Sequence, residues 1–475
     1  MKALESVTDD ILKAATDLET EVKKEVKYWE EILDISAKGW YLQRLRRDLP
    51  YSPLAVRCGS HEASDQFKAR GLAPLRMNKD GAIVLDPELA PKPRTLRVRI
   101  REHGKIVGCS RLSKSEDGTA TGIEKKIRQA RDSLFEEEMF HEMTIEARNL
   151  LPYGVELRDS VLNVQASSDR TVLIDCIPLD DEESTDEYAT DDWLARTIAE
   201  GLRLLLSHEH RMRLFRRSQI PAPLTLNKRQ TPPPPLLRTL LAVFAHLDAV
   251  DSLQTYLQKL VKTLETAGLP VTLDIKREVS LNALTRIITE SPIKGLSPLD
   301  QIIQQFTKPL DSVATLSLPS PKGPDAEYVT IAIRTFFGPP TFGPGYKITL
   351  PPSLVRSFSL GEEMRKEFKF SSGESAHQYV DWVFSLHLTH NLLRKEYPKR
   401  AAVSVLEPTV IINGRDGKKV AKKEFAVDIK DGALTVTVRR ATMFGVESVP
   451  ECTWSWNGSE GGGDLLEKIH ACVRR

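Results

Sequence analysis

Apolar side chains recur at Leu4, Val7, Ile11, Ala14, Leu18, Val22, Val26, Trp29 and Leu33, first in steps of three and four and then mostly in fours. That spacing lays one stripe along a single helix, and Gly39 stops it. At ~1.5 Å per residue the element is roughly 50 Å long, which exceeds the width of a small domain. The segment that follows, RRDLPYSPLAVRCGSHEASDQF, carries two prolines and several turn formers, so no helix of matching length comes next in the chain. Nine apolar side chains at ~1.5 to 3 kcal/mol each put ~15 to 25 kcal/mol of burial at stake as an upper limit. An isolated helix does not stand without such burial. The helix over 1–38 is therefore expected to enter a bundle with other chains through Leu4, Val7, Ile11, Leu18, Val22, Val26, Trp29 and Leu33, while Tyr28, Trp40 and Tyr41 anchor its end.

At 475 residues the chain is long enough for several cores. Lys plus Arg at 67 against Asp plus Glu at 66 leaves a formal charge of +1, so no global field draws it to nucleic acid or to an anionic membrane. No apolar run approaches the length of a membrane-spanning helix, and MKALESVTDD lacks the form of a signal peptide, which points to an intracellular protein. Cys58, Cys109, Cys176, Cys452 and Cys472 are scattered singly and are expected as buried free thiols.

Further along, TLRVRIREHGKIVGCS alternates apolar and arginine positions about a His103-Gly104 turn, so a hairpin with Arg97, Arg99 and Arg101 on its outer face is expected. A second long helix runs from Gly122 to Leu151, and VELRDSVLNVQ and RTVLIDCIPL read as two short strands. DDEESTDEYATDD reads as a solvated acidic loop, or as a landing surface for a basic partner. An Asp191 or Asp192 cap then opens a helix through Trp193 and Leu205. The prolines Pro232 to Pro235 mark an extended linker over 221–235. Leu236 to Gly268 is a third long amphipathic helix, followed by strand-like segments with an Asp431-Gly432 turn, a helix through HQYVDWVFSLHLTHNLLRK, and a terminal helix. The fold expected is α+β: a mostly helical first half with a hairpin, then mixed antiparallel sheet with helices. The regions are 1–38, 39–220, the linker, and 236–475.

Catalytic signatures are thin. Glu138 and His141 have the ExxH spacing of di-iron bundles with Glu142 one turn on, but no second ExxH follows, so a solvated acidic face with a half-buried histidine is the better reading. The groupings His208-Glu209-His210 and His387/His390 read as amphipathic surface. GxGxxG, GxxxxGK[ST] and GxSxG do not occur. No enzyme, metal or cofactor is expected. Arg44, Arg46 and Arg47 beside Trp40 and Tyr41 match stacking-plus-phosphate sites, yet one short cluster at a chain charge of +1 is a weak footprint. Aromatic and arginine side chains are equally the residues of protein interfaces. A nucleic-acid-binding module using Arg97, Arg99 and Arg101 is the alternative.

The series Tyr28-Trp29-Glu30, Gly39-Trp40, Val56-Arg57, Gly71 to Arg76, Asp80-Gly81, Leu96 to Ile100, Ile106 to Ser110, Ala130 to Phe135, and Glu146-Ala147-Arg148 resembles the family of Mediator complex subunit 17, over residues 20 to 155. The resemblance implies a non-enzymatic scaffold of the head module of a nuclear coactivator, relaying regulatory signals to RNA polymerase II. It implies a helical bundle shared with subunits 11, 22, 6 and 8, contact with the 18/20 pair, and a C-terminal α+β part facing other head subunits and the polymerase. Neither membrane association nor sequence-specific DNA binding is implied. Arg44, Arg46 and Arg47 would then meet acidic side chains of a partner or the polymerase, or stay solvated. Family members carry a longer tail before the first helix.

Overall fold

The computed structural model describes residues 2–45, 53–85, 93–110, 122–167, 169–179, 193–218, 234–277, 286, 289, 297–320, 327–338, 341–358, 366–404, 407–414, 422–442, 445–446, 449–459 and 463–474. The chain divides into two compact units, Met1–Leu240 and Leu241–Arg475. The acidic run from Asp180 to Asp192 and the linker up to Pro233 lie outside the described residues.

In the first unit, α1 (Lys2–Ala37) ends at Gly39, whose φ of 87° suits a residue without a side chain. Strands β1 (Leu42–Arg44), β2 (Leu54–Arg57), β3 (Leu72–Met77) and β4 (Ile83–Leu85) form an antiparallel sheet in that order, with the short helix α2 (Asp65–Arg70) between β2 and β3. The expected hairpin forms from β5 (Arg94–Glu102) and β6 (Lys105–Cys109), turning at His103 and Gly104, both with positive φ. After α3 (Gly122–Ala147) come β7 (Val155–Arg158), β8 (Val161–Gln165) and β9 (Arg170–Pro178), and the sheet runs β6-β5-β9-β8-β7. VELRDSVLNVQ is thus a hairpin rather than one strand. Asp159 and Ser160 reverse it at φ of 48° and 62°, a turn made without the glycine that would have flagged it. Helix α4 (Trp193–Ser218) packs with α3 against β5. α5 (Leu236–Thr266) starts in this unit and continues past Leu240.

The second unit holds two antiparallel sheets. One runs β10 (Leu273–Arg277), β11 (Leu310–Ser317), β12 (Tyr328–Gly338), β13 (Thr341–Thr349), β14 (Glu367–Phe370). The other runs β15 (Ala401–Val403), β16 (Thr409–Asn413), β17 (Lys422–Lys430), β18 (Ala433–Thr442), β19 (Gly445–Val446), with β20 (Cys452–Trp456) also on β18. Asp431 and Gly432 make the tight turn between β17 and β18. Among the described residues the unit also holds helices α6 (Pro298–Phe306), α7 (Pro352–Phe358), α8 (Gly373–His387) and α9 (Leu465–Arg474), and α8 runs on in π geometry over Leu388–Leu393 into a last helical turn at Arg394–Glu396. Leu253, Leu257, Leu260 and Leu264 of α5, Val380, Val383 and Phe384 of α8, and Ile469 of α9 share one core with Ile331, Ile348, Phe425 and Val436 of the sheets. His387 and His390 are buried here rather than on the surface, each held by a backbone carbonyl, of Pro319 and Ser404.

Candidate partner-binding helix face

Helix α1 is rooted at its C-terminal end. Tyr28, Ile32 and Ile35, spaced i, i+4, i+7, point into a core with Val56, Leu75, Ile83, Leu85 and Ile127. The Tyr28 hydroxyl reaches the Leu75 carbonyl at 3.4 Å, and burial pushes its pKa up. Glu31 Oε2 accepts from the Ile83 amide at 2.7 Å, tying α1 to β4. The β3–β4 turn comes so close that a β-carbon at Gly81 would lie 2.7 Å from both the Lys24 Cα and its carbonyl oxygen. Lys38 bonds Asp34 at 2.9 Å and Glu124 of α3 at 3.0 Å; the bond to Asp34, then that to Glu124, holds its ammonium above the usual pKa.

The stripe read from the sequence lies on a different face. Val7, Ile11, Leu18, Val22, Val26, Trp29 and Leu33 are all exposed, from 50% at Trp29 to 67% at Leu33. Leu4 is in the helix, and its side chain lies outside the described residues. Leu18, Val22, Val26, Trp29 and Leu33 line a shallow groove rimmed by Glu21, Glu25 and Glu30. Intrahelical pairs such as Glu19–Lys23 at 2.7 Å keep the charged positions off this seam. The face is apolar at its centre and acidic at its edge, the anatomy of an interface.

The three aromatic anchors part company. Tyr28 and Trp40 pack against the core, and the Arg131 guanidinium lies 5.8 Å from the Trp40 ring centre. Tyr41 stays 60% exposed, because β1 begins at the next residue and turns it outward, leaving an edge contact with His61. Arg44 is exposed, and Arg46 and Arg47 lie outside the described residues.

The acidic face of α3, expected from the sequence to be solvated, is buried and ties α3 to β5, α4 and the start of α5. Glu136 accepts from the Leu96 amide of β5 at 3.2 Å and from Arg203 of α4 at 2.6 Å. Glu138 takes the Ser64 amide at 3.2 Å and contacts His210 of α4 at 3.1 Å. Glu146 receives the Leu237 and Arg238 amides, at 2.7 and 3.3 Å, and Arg238 Nε at 2.7 Å, capping α5 from outside. Glu136, Glu138, Glu142 and Glu146 are all buried, as are His208, Glu209 and His210. Burial pushes the carboxyls of Glu136, Glu142 and Glu146 up, against the pull of Arg203, Arg213 and Arg238 respectively. The ExxH pair is thus divided: Glu138 serves an amide and a histidine of another helix, and His141 lies against Phe67. Spacing at 138, 142 and 146 was the available signal, since carboxylates four apart share a helix face.

The arginine stripe is not free for phosphate. Arg97 forks onto Asp175 of β9 at 3.0 and 2.6 Å, and Arg99 meets the same carboxylate at 2.9 Å. Asp175 is buried and sits opposite Arg97 in the ladder. Arg101, partly buried, continues the row.

The family model described as "Subunit 17 of Mediator complex" matches residues 1–264. The chain belongs to the Mediator subunit 17 family. This is a non-catalytic family. A relative from Aspergillus oryzae, named Mediator of RNA polymerase II transcription subunit 17, is 36% identical over 352 residues, covering 73% of this chain and 53% of its own. Its namesake from Coccidioides immitis is 29% identical over 395 residues, covering 82% and 55%. The chain spans about half the length of the curated relatives it matches. Among solved structures, a chain in the "Structure of the Schizosaccharomyces pombe Mediator head module" aligns with a TM-score of 0.55 at 17% identity, covering 80% of this chain and 79% of that one. At that identity the likeness is one of fold.

Proposed function

We propose that this chain is a non-enzymatic scaffold subunit of the Mediator head module, acting in the nucleus in RNA polymerase II transcription, and that α1 is its arm into a bundle of helices from neighbouring subunits. The observation that carries this reading is the exposed seam from Val7 to Leu33 on a helix whose opposite face is fixed in its own core. Family membership supplies the setting, with subunits 11, 22, 6 and 8 and the 18/20 pair as the expected neighbours and the polymerase as the recipient of the signal. The Mediator subunit 17 relatives carry the polymerase in their names. Coexpression of the chain with those head subunits tests the reading, using Val22→Glu combined with Val26→Glu. Both side chains are exposed, so the change spares the chain's own core. At ~1.5 to 3 kcal/mol per buried side chain, capture should fall on the order of a hundredfold or more. Undiminished capture would remove α1 from the interface.

A further inference from the structure

The exposed seam on α1 changes its spacing part-way along. Val7 to Ala14 and Ile11 to Leu18 are each 7 residues apart, whereas Leu18 to Trp29 and Val22 to Leu33 are each 11 apart. A 7-residue repeat winds packed helices to the left, and an 11-residue repeat carries them straight to slightly right-handed. The change falls at Leu18, where the groove begins. Its edges are charged. At ~100° per residue, Glu21 and Glu25 lie on one side of the seam and Glu30 on the other, and all three are exposed. Glu21 is shared with Lys24 at 2.7 Å, while Glu25 and Glu30 enter no ion pair among the described residues.

Resting on the reading of α1 as an interface helix, we infer the chemistry of its partner: a helix of another chain whose apolar stripe follows the 11-residue spacing between edges of lysine and arginine. A stripe on that spacing stays over Leu18, Val22, Val26, Trp29 and Leu33 along the whole groove, where a strict heptad would drift off the seam. Basic edges complete the fit. An ammonium or guanidinium beside Glu25 or Glu30 supplies the flanking pairs that set partner and register between packed helices. The same rim decides against a second copy of this chain. α1 laid on α1 sets glutamate edges against glutamate edges, and like charges along a seam select a different partner.

The test uses the full chain and two fluorescent helical peptides that share one apolar stripe on the 11-residue spacing, one edged throughout by Lys and the other by Glu. The Lys-edged peptide should bind about tenfold tighter at low salt, and the gap should narrow as salt screens the edges. Glu25→Lys with Glu30→Lys should abolish or invert the preference, which a mere difference in peptide helicity cannot do. Both positions are exposed, so the chain's own core is untouched. Equal affinity for the two peptides, binding of neither, or a preference unmoved by the charge reversal would overturn the inference, as would a dimer of the free chain that Val22→Glu with Val26→Glu dissolves. The underlying reading is judged apart, by capture in coexpression. Capture lost in Val22→Glu with Val26→Glu keeps α1 an interface helix even where the peptides do not discriminate, and undiminished capture removes both.

Discussion

Removing the Glu146 carboxylate should loosen the start of α5 more than any other single change on α3. The group is 2% exposed and serves two backbone amides and one guanidinium. Glu146→Ala leaves Arg238, itself largely covered, without its counter-charge and returns two first-turn amides to an uncapped state. Breaking one side of a buried pair costs ~3 to 5 kcal/mol, so amide exchange at Leu237 and Arg238 should accelerate on the order of a hundredfold or more. Glu146→Leu with Arg238→Met should cost much less, ~1 to 2 kcal/mol, because only the cap is then lost. The raised pKa of Glu146 points the same way, since burial there outweighs the pull of Arg238. Hydrogen exchange with urea melts of the single and double variants measures both effects. A single-variant cost under ~1 kcal/mol, or costs that simply add, would refute the reasoning.

Gly81→Ala should free the β3–β4 turn from α1. Left-handed strain of ~1 to 2 kcal/mol and a contact at 2.7 Å to Lys24 backbone both oppose it, and exchange at the Ile32 and Ile35 amides reads the loss. Asp175→Asn should release Arg97 and Arg99, so duplex DNA affinity should rise with a steeper salt slope, whereas the unmodified chain titrates flat; tight, salt-sensitive binding by the unmodified chain would restore the nucleic-acid alternative. Asp381, which accepts from the Tyr256 hydroxyl at 2.6 Å and the Asp431 amide at 3.0 Å, has its carboxyl pushed by burial from 3.8 to about 6. Its folded pKa exceeds the unfolded one, so the native state holds the extra proton between those values and stability falls as pH rises through that window. Asp381→Asn should flatten this part of the pH dependence of the urea midpoint.

Periodicity made much of the fold legible. The stripe on α1, the His103-Gly104 and Asp431-Gly432 turns, and the leucines of α5 were all visible as spacing. The second face of α1 was harder, because Ile32 and Ile35 sit within a strongly charged stretch and their cover, from Val56 to Ile83, comes from strands too short to announce themselves. Strand β20 was hidden for the same reason. Buried carboxylates are the other blind spot. Glu138, Glu142 and Glu146 look like solvent-facing residues until Ser64, His210 and Arg238 arrive from elsewhere in the chain. A one-dimensional pattern shows which residues share a face, and charge alone does not say whether that face meets water.

Hydrogen–deuterium exchange across residues 6 to 33, on the free chain and on the chain coexpressed with the proposed head-module subunits, is the most direct test of a partner-covered α1. A helix with its apolar face in water is marginal, so the account predicts rapid exchange in the free chain and strong protection in the assembly, centred on Leu18 to Leu33. Equal exchange in the two states would contradict it.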